Sequence, residues 1–305
     1  ARDGLRVLAV AYRPLDSEHV GEDKWDMQTL EDNMVFLGLV AMSDPPRQGV
    51  REAIEKCHRA SIRIIMVTGD YGLTALSIAK KIGIVQGDDA RVVSGLELAG
   101  MDDDQLKEAL KGEIVFARVA PEQKYRVVNA LQELGEVVAV TGDGVNDAPA
   151  LKRADVGFAM GSGTDVAKEA GAIVILDDNF KSIENAILYG RTIYNNILKF
   201  IKFQLTINVG AVAVCAIAPF FGIEEPLKIT HILWINLVMD GLGALALGSE
   251  PALKKYMLEK PKSRTQSIVS AKMMNQILFA GAWVAVLSFA FLKAPFFINM
   301  FANTE

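Results

Sequence analysis

The chain has 305 residues, a length sufficient for one or two domains with buried cores. Hydrophobic residues make up 51% of it, which is high for a chain in which 23% of the residues are charged. The net charge of −5 is modest and no basic cluster is interleaved with aromatic residues, which excludes a nucleic-acid-binding face, and two cysteines exclude a disulfide framework.

Charge is distributed unevenly along the chain. Lysine, arginine, aspartate and glutamate are spread over residues 1 to about 199 and become rare inside three long apolar stretches that follow. This division predicts a soluble half followed by a membrane half. The first residue is Ala1 rather than an initiator methionine, and no signal peptide follows it, so we expect a piece of a longer protein.

The first 180 residues alternate short β-branched runs with amphipathic helical patterns, which predicts a Rossmann-like α/β domain with a parallel sheet. The predicted strands are 35–42, 62–68, 114–117, 137–141, 156–160 and 173–176, and the predicted helices are 47–60, 73–82, 102–111 and 121–134. A further strand at 4–12 is separated from the first of these by an acidic loop. We therefore expect that strand to belong to a neighbouring domain.

A helix needs about 20 apolar residues to cross the hydrocarbon core of a bilayer. Three stretches meet this requirement, 200–221, 229–248 and 275–292. The connector between the second and third is rich in lysine, whereas Glu224 and Glu225 lie in the short turn between the first and second. The positive-inside rule therefore places the long connector and the α/β domain in the cytoplasm, with 181–199 as a helix that enters the first span.

An acidic loop at 141–149 follows a predicted strand and precedes a helix, at the edge of an open α/β sheet where ligands bind. Its two carboxylates, Asp143 and Asp147, are four residues apart. Mg²⁺ held against a phosphoryl group needs hard oxygen ligands of this kind beside a developing negative charge. We predict such a site here; the alternative is an ordinary Asp/Gly turn.

Two further features can bind phosphate oxygens. Thr68, Gly69 and Asp70 end another predicted strand, where a hydroxyl and backbone amides can receive an anion. Lys124 lies on the helix that opens with Pro121 and can supply a fixed positive charge. Each signal is weak alone, because short polar turns and solvated lysines are common.

Taken together, these segments resemble the P-type ATPases, whose phosphorylation domain belongs to the haloacid-dehalogenase-like superfamily. The resemblance runs from near Ala1 to the last predicted span, and the nine-residue acidic loop is highly specific. The segments that match the family's motifs in order are Asp44-Pro45-Pro46-Arg47, 66–70, 116–118 with Lys124, 141–152 and 161–167.

The resemblance implies a role for each matching residue of the acidic loop and its neighbours. Asp143 is expected to be a Mg²⁺ ligand, with Asn146 and Asp147 in the same network. Thr68 and Lys124 are expected to contact the oxygens of the transferred phosphoryl group. The implied cofactors are therefore ATP and Mg²⁺.

The same resemblance places Gly69 and Asp70 near the nucleotide. Arg6 is similar to an arginine at the end of the family's nucleotide-binding domain that contacts the phosphates of ATP. The implied domains are residues 1–30 as the end of the nucleotide-binding domain and a linker, 31–180 as the later part of the phosphorylation domain, and 181–305 as a stalk and three transmembrane helices.

One departure from the family pattern is severe. The family's nucleophile is the Asp of an Asp-Lys-Thr-Gly-Thr motif, which does not occur in these 305 residues. The chain alone is therefore expected to be unable to form the aspartyl phosphate. The nucleotide-binding domain, the actuator domain and the first four spans would be the partners that this chain requires.

Three polar residues lie inside the predicted spans. Asn208 is in the first, and Asn236 and Asp240 are four residues apart in the second, on one helical face. A charged residue at mid-membrane costs about 2.5 to 3.5 kcal/mol on an insertion scale, so we expect Asp240 to face a cation path. The asparagines alternatively form interhelical hydrogen bonds that only hold the bundle together.

Two stretches resemble the ion-binding helices of calcium pumps, 204–210 and 233–241. Ala211 and Met239 stand where two-site pumps of the sarcoplasmic-reticulum type carry Glu and Thr, a loss shared by the plasma-membrane type. The resemblance implies one Ca²⁺ per cycle, bound by Asn236 and Asp240 together with a Glu from a span outside the chain, and Asn208 as a possible further ligand.

The sequence leaves alternatives open. A pump of this family can carry another cation, such as Mn²⁺, H⁺ or Na⁺. A membrane-anchored phosphatase of the same superfamily is a second possibility, but it predicts no ionisable residue at mid-membrane, so Asp240 argues against it. A non-catalytic membrane fragment is the third, and its only support is the absent nucleophile.

Overall fold

The computed structural model describes residues 5–14, 31–42, 45–87 and 90–293. Asp44, which opens one of the motif segments, lies outside these ranges. The chain divides into two compact units, Ala1–Glu184 and Asn185–Glu305. The described part of the first unit holds eight strands, and that of the second is helical.

Two strands near the amino terminus, β1 (Arg6–Tyr12) and β2 (Val35–Met42), form an antiparallel pair. The prediction that 35–42 opens the parallel sheet is therefore wrong, and the segment at 4–12 finds its partner within this chain. A continuous apolar run is typical of a buried parallel strand. Here both strands are apolar but largely exposed. An apolar run in the sequence therefore did not distinguish a buried parallel strand from this antiparallel pair.

The parallel strands form two sheets of three strands each. The first has the order β3-β5-β4, from β3 (Met66–Val67), β4 (Arg91–Ser94) and β5 (Ile114–Ala117). The second has the order β6-β7-β8, from β6 (Ala139–Gly142), β7 (Val156–Met160) and β8 (Ile173–Ile175). The parallel arrangement predicted from the alternation of strands and helices is confirmed.

Seven helices accompany these strands, and their starts follow local sequence signals. Ser94, Asp102 and Thr164 each accept a hydrogen bond from a backbone amide of the first turn, and Pro121 occupies the first turn of the longest of the seven. The helices are α1 (Val50–Arg59), α2 (Gly72–Ile82), α3 (Gly95–Gly100), α4 (Asp103–Ala109), α5 (Pro121–Glu133), α6 (Ala148–Arg153) and α7 (Asp165–Ala170).

Strand β5 is buried on both faces and anchors the core of the first unit. Phe116 belongs to the larger apolar cluster, which also holds Val93, Leu98, Leu106 and Val127 of β4, α3, α4 and α5. Its neighbour Val115 points to the opposite face, because side chains alternate along a strand, and joins Ala75 and Ala79 of α2. The covered sheet is a fixed platform for the loops that follow its strands.

The second unit is built from long helices. Helix α8 (Phe180–Ile217) has 38 residues and is followed by a 3₁₀ turn to Phe221. Helix α9 (Ile229–Val238), a π-helical turn (Met239–Gly243) and α10 (Ala244–Gly248) form one run, and α11 (Ala271–Lys293) ends the described chain. Three of these segments are long and apolar enough to cross a membrane, Phe180–Phe221, Ile229–Gly248 and Ala271–Lys293.

Glycines allow the helices of the second unit to approach closely. A Cβ atom at Gly210 of α8 would lie 2.8 Å from Val284 Cγ1, and one at Gly281 of α11 would lie 2.7 Å from Val209 Cγ1. Small residues at such crossings let backbones pack tightly in a lipid environment. These two glycines therefore define where α8 and α11 cross.

Candidate phosphoryl-transfer site

The loops after β3 and β6 line one cavity. Its volume is about 420 Å³. Thr68 and Gly69 come from the first loop, Thr141 to Asp143 from the second, and Lys124 from the first turn of α5. The complete lining is Val67, Thr68, Gly69, Lys124, Thr141, Gly142, Asp143, Asp147 and Met160. The structure thus brings together five of the predicted catalytic residues, although they come from segments far apart in sequence.

The loop after β3 is held in a fixed conformation by its own backbone. The amide of Thr68 donates to the carbonyl of Phe116 at 2.9 Å, and the Thr68 hydroxyl oxygen accepts from the amide of Asp70 at 3.1 Å. The hydroxyl proton therefore remains able to point into the cavity. A threonine in this arrangement can donate a hydrogen bond to an anionic oxygen.

The loop after β6 is organised by the carboxylate of Asp147. One of its oxygens accepts from the backbone amides of Asp143 at 3.3 Å and Gly144 at 3.2 Å. The other accepts from Lys124 Nζ at 2.6 Å, and this ion pair is 18% and 13% exposed for the two side chains. Asp147 thus stabilises the conformation of the loop, and it holds the ammonium group of Lys124 at the cavity wall.

Asp143 differs from Asp147 in what its carboxylate contacts. Its backbone carbonyl accepts from the amide of Thr164 at 2.8 Å. Its side chain lines the cavity, is solvent-exposed, and accepts no hydrogen bond from the described residues. Both carboxylate oxygens of Asp143 are consequently open to a ligand.

These residues fit a bound Mg²⁺. Mg²⁺ is usually held by one or two carboxylates together with waters and substrate phosphates, rather than by a complete protein cage. Within the described ranges, no group of three or more histidine, cysteine, aspartate or glutamate side chains is placed to hold a metal. One open carboxylate at Asp143, beside a cavity with a lysine and a threonine, matches this partial ligand set.

Three of the predicted residues lie away from the cavity lining. Asn146 is exposed in a 3₁₀ turn, and Asp70 is exposed where its backbone carbonyl accepts from the amide of Arg118. Arg6 lies in β1, and its side chain is outside what the structure describes. The contacts predicted for these three with a nucleotide or its phosphates remain predictions.

Sequence reasoning missed how the segment after β7 supports the acidic loop. A Cβ atom at Gly163 would lie 2.8 Å from the backbone oxygen of Asp143, so only glycine allows this approach. Thr164 then donates its amide to the same oxygen. The signal was available as the glycine-rich segment 161–163, but its contact with Asp143 requires the fold.

The predicted cation site in the membrane helices is described only in part. Asn208 is exposed on α8, and Asn236 is partly buried on α9. Asp240 lies in the π-helical turn, and its side chain is outside what the structure describes. Single π-helical turns occur frequently at functional sites, and the sequence did not predict this one.

Comparisons with known proteins agree with both halves of this description. A family model described as haloacid dehalogenase-like hydrolase matches residues 9–155, and a second of that description matches 124–187. The family model of the cation transporting ATPase C-terminus matches residues 224–304.

Several curated proteins are similar to nearly the whole chain. The calcium-transporting ATPase 1 of Bacillus cereus is 44% identical over 289 residues, which is 94% of this chain and 32% of that protein. The calcium-transporting ATPase 1 of Saccharomyces cerevisiae is 44% identical over 94% of this chain and 30% of its own length. The calcium-transporting ATPase 9, plasma membrane-type, of Arabidopsis thaliana is 40% identical over 96% of this chain and 28% of its own length. The chain spans about a third of the relatives it matches.

Proposed function

We propose that this chain belongs to the P-type cation-transporting ATPases and is part of an ATP-driven Ca²⁺ pump that works through an aspartyl-phosphate intermediate. Within the described residues, three helices are long and apolar enough to cross a bilayer, as in an integral membrane protein. The observation that carries the proposal is the cavity in which Asp143 presents an open carboxylate beside Thr68 and the Lys124–Asp147 ion pair.

Each side chain at the cavity has a distinct task in this proposal. Lys124 places a positive charge, and Thr68 a hydroxyl donor, where the oxygens of the transferred phosphoryl group gain negative charge in the transition state. Asp143 provides the carboxylate for Mg²⁺, whose charge neutralises the phosphoryl oxygens when it is bound. Asp147 keeps Lys124 and the loop amides in place, so little reorganisation is needed during the reaction.

The nucleophile is proposed to come from a part of the pump outside this chain. Within the described residues, β3 pairs only with β5, and β6 pairs only with β7, so each sheet has an unpaired edge. The residues that follow these two edge strands line the cavity. Unpaired edges are templates for another strand, and a strand inserted there would deliver its terminal aspartate to Thr68, Lys124 and Asp143.

The β1–β2 pair also supports a larger protein around the chain. Phe36, Leu37 and Leu39 are each more than 60% exposed, and most other apolar residues of the two strands are exposed as well. A contiguous apolar surface of this kind usually marks an interaction surface. We propose that the rest of the nucleotide-binding domain covers it, and that ATP, as the phosphoryl donor, binds near Arg6, Gly69, Asp70 and Asn146.

The transported ion is proposed to be one Ca²⁺ per cycle, bound by Asn236 and Asp240. Ca²⁺ takes six to eight oxygen ligands, so further ligands must come from spans outside the chain. Ala211 and Met239 supply no oxygen from their side chains, which supports a single site, and Asn208 is at most peripheral to it. Mn²⁺ is the nearest competing ion because it is also bound by hard oxygen ligands.

Topology and coupling follow from the same proposal. The lipid bilayer surrounds the three spans, and the α/β unit lies in the cytoplasm, on the side of the lysine-rich connector. Helix α8 is one continuous helix from Phe180 to Ile217. We propose that it carries the motion that accompanies phosphorylation into the membrane.

The test is phosphoenzyme formation from labelled ATP by the full-length pump across titrations of free Ca²⁺, Mn²⁺ and Na⁺. We expect Ca²⁺ at about micromolar concentration to switch on labelling, and Asp240→Ala to abolish this dependence. Asn208→Ala is the matched control and should shift it little. Labelling that ignores Ca²⁺, or that is unchanged in Asp240→Ala, would refute the ion assignment and leave only the phosphoryl-transfer site.

A further inference from the structure

Glu184, at the start of helix α8, is a buried acid that the proposed chemistry does not use. It is 4% exposed, and within the described part of the chain only Glu184, Thr192 and Asn196 are polar residues with so little exposure. Thr192 bonds to the carbonyl of Leu188 in its own helix, and Asn196 bonds to the carbonyl of Glu250. Glu184 alone among the three carries an ionisable group.

The partner of Glu184 lies 128 positions earlier in the sequence. Lys56 Nζ of α1 is 3.0 Å from Glu184 Oε2, and the lysine side chain is 43% exposed while that of the acid is 5% exposed. A carboxylate is very seldom buried unless it is paired, because burial removes its hydration. The cation of Lys56 is therefore the partner that compensates for the burial of the Glu184 side chain.

The pair reinforces a second contact between the same two segments. Arg47, three residues before α1, donates to the backbone carbonyl of Asp178 at 2.6 Å and to that of Asp177 at 3.3 Å. Asp177 and Asp178 lie in the short segment before α8, which begins at Phe180. Arg47 thus holds the chain before the helix, and the Lys56–Glu184 pair holds its second turn.

We propose that the Lys56–Glu184 ion pair is a positioning contact that fixes the second turn of α8 on α1, so that displacement of the α/β unit on phosphorylation moves α8 rather than slipping past it. The proposal rests on the proposed pump function. It assigns coupling, rather than phosphoryl transfer, to these two residues. Neither touches the cavity, so the chemical step does not depend on them directly.

The test compares variants of the full-length pump reconstituted in vesicles. Lys56→Met leaves the buried carboxylate unpaired, Glu184→Gln removes its charge while keeping its shape, and Lys56→Arg keeps the cation. Glu55→Gln is the matched control, because its partner Arg51 is on the same helix and both side chains are about half exposed or more. The measurements are hydrogen exchange of the amides in 184–190, the phosphoenzyme level, and Ca²⁺ transported per ATP hydrolysed.

In Lys56→Met we expect amide exchange in 184–190 to accelerate about tenfold, as the turn loses its anchor. Ca²⁺ transported per ATP should fall by about threefold or more while the phosphoenzyme level stays within about twofold of wild type. Glu184→Gln should also accelerate amide exchange and lower Ca²⁺ transported per ATP, but by less than Lys56→Met does. Lys56→Arg and Glu55→Gln should resemble the wild type.

The proposal would be overturned by unchanged amide exchange in Lys56→Met, by an unchanged transport ratio in both Lys56→Met and Glu184→Gln, or by a loss in Lys56→Arg equal to that in Lys56→Met. A proportional fall of phosphoenzyme and transport would also overturn it, since that signifies only less folded protein. If the wild type forms no Ca²⁺-dependent phosphoenzyme, the proposed function fails instead, and hydrogen exchange still decides whether the pair holds the helix.

Discussion

The contact between Lys124 and Asp147 holds both a positive charge and a loop conformation in place at the site. Asp147 accepts from Lys124 and from two backbone amides of its own loop, so a single carboxylate joins α5 to the segment after β6. The sequence identified both residues, but 23 positions separate them and no local pattern predicts that they meet. The sequence therefore identifies the two side chains, whereas their contact with each other is seen only in the folded structure.

Replacing Lys124 by methionine should impair phosphoryl transfer much more than folding. Removal of one preorganised electrostatic group from such a site lowers the rate by about 10²- to 10³-fold. Asp147 would keep its two amide donors, so the loop should remain folded. The measurement is the rate of phosphoenzyme formation in Lys124→Met, with Lys168→Met as control because the side chain of that lysine forms, among the described residues, a 3.9 Å ion pair with the exposed Asp165. Equal rates in the two variants would contradict the role of Lys124.

Asp178 should make the stability of the α/β unit depend on acid pH. Its pKa is held below its ordinary value because its carboxylate accepts hydrogen bonds from the side chain and backbone of Ser162, and because Arg47 is nearby. A carboxylate with a lowered folded-state pKa contributes stability above its unfolded pKa of about 3.9 and loses it as the pH falls through the folded value.

We therefore expect the thermal unfolding midpoint of the wild type to fall more steeply below about pH 4 than that of Asp178→Asn. Asparagine tolerates the left-handed backbone found at this position, where φ is 51°, so the variant should fold. Asp165→Asn, at a fully exposed side chain, serves as control. Parallel curves for wild type and Asp178→Asn would show that the hydrogen bonds to Ser162 do not contribute.

At the scale of elements, the acidic loop depends on the segment that follows β7. Gly163 and Thr164 both contact the backbone oxygen of Asp143, one by close approach and the other by a hydrogen bond. The two loops therefore form one rigid group behind the open carboxylate. A change in the supporting loop should displace Asp143 without touching the cavity.

Gly163→Ala should lower both stability and phosphoryl transfer. Its Cβ would lie 2.8 Å from a backbone oxygen that cannot rotate away, and such overpacking typically costs about 1 to 3 kcal/mol. Gly100→Ala is the matched control, because a Cβ there meets nothing within 4 Å. Denaturant unfolding together with the phosphorylation rate would check this, and a Gly163→Ala protein as stable and active as Gly100→Ala would refute it.

Elements whose ends are marked by nearby residues were predicted from the sequence better than elements that depend on distant contacts. Strands β5 and β7 have the predicted bounds, and α5 begins at the predicted Pro121, because turn and capping residues mark those ends. The partner of β2 was mispredicted, since an apolar run does not specify which strand it joins. Strand β4, helix α3 and the π-helical turn were missed, because four to six residues are too few to show a period.

At the scale of the whole molecule, β3 and β6 each have an edge that no described strand pairs with, which supports the proposal that this chain acts together with other parts of a pump. The 305-residue chain expressed alone should give no acid-stable phosphoenzyme from labelled ATP, because it contains no Asp-Lys-Thr-Gly-Thr motif. Co-expression with the remainder of the pump should restore labelling if the strand inserts between the two edges. Labelling of the chain alone would place the nucleophile within these 305 residues.

The length of helix α8 has a mechanical consequence. At 1.5 Å per residue, its 38 residues extend over roughly 57 Å, nearly twice the ~30 Å thickness of a hydrocarbon core. An unbroken rod of this length is a lever: tilting it by about 5° around one end displaces the other by roughly 5 Å, close to the pitch of one helical turn. In the proposed pump, small angular changes at the first turns of α8 would therefore produce displacements of several ångströms at its other end.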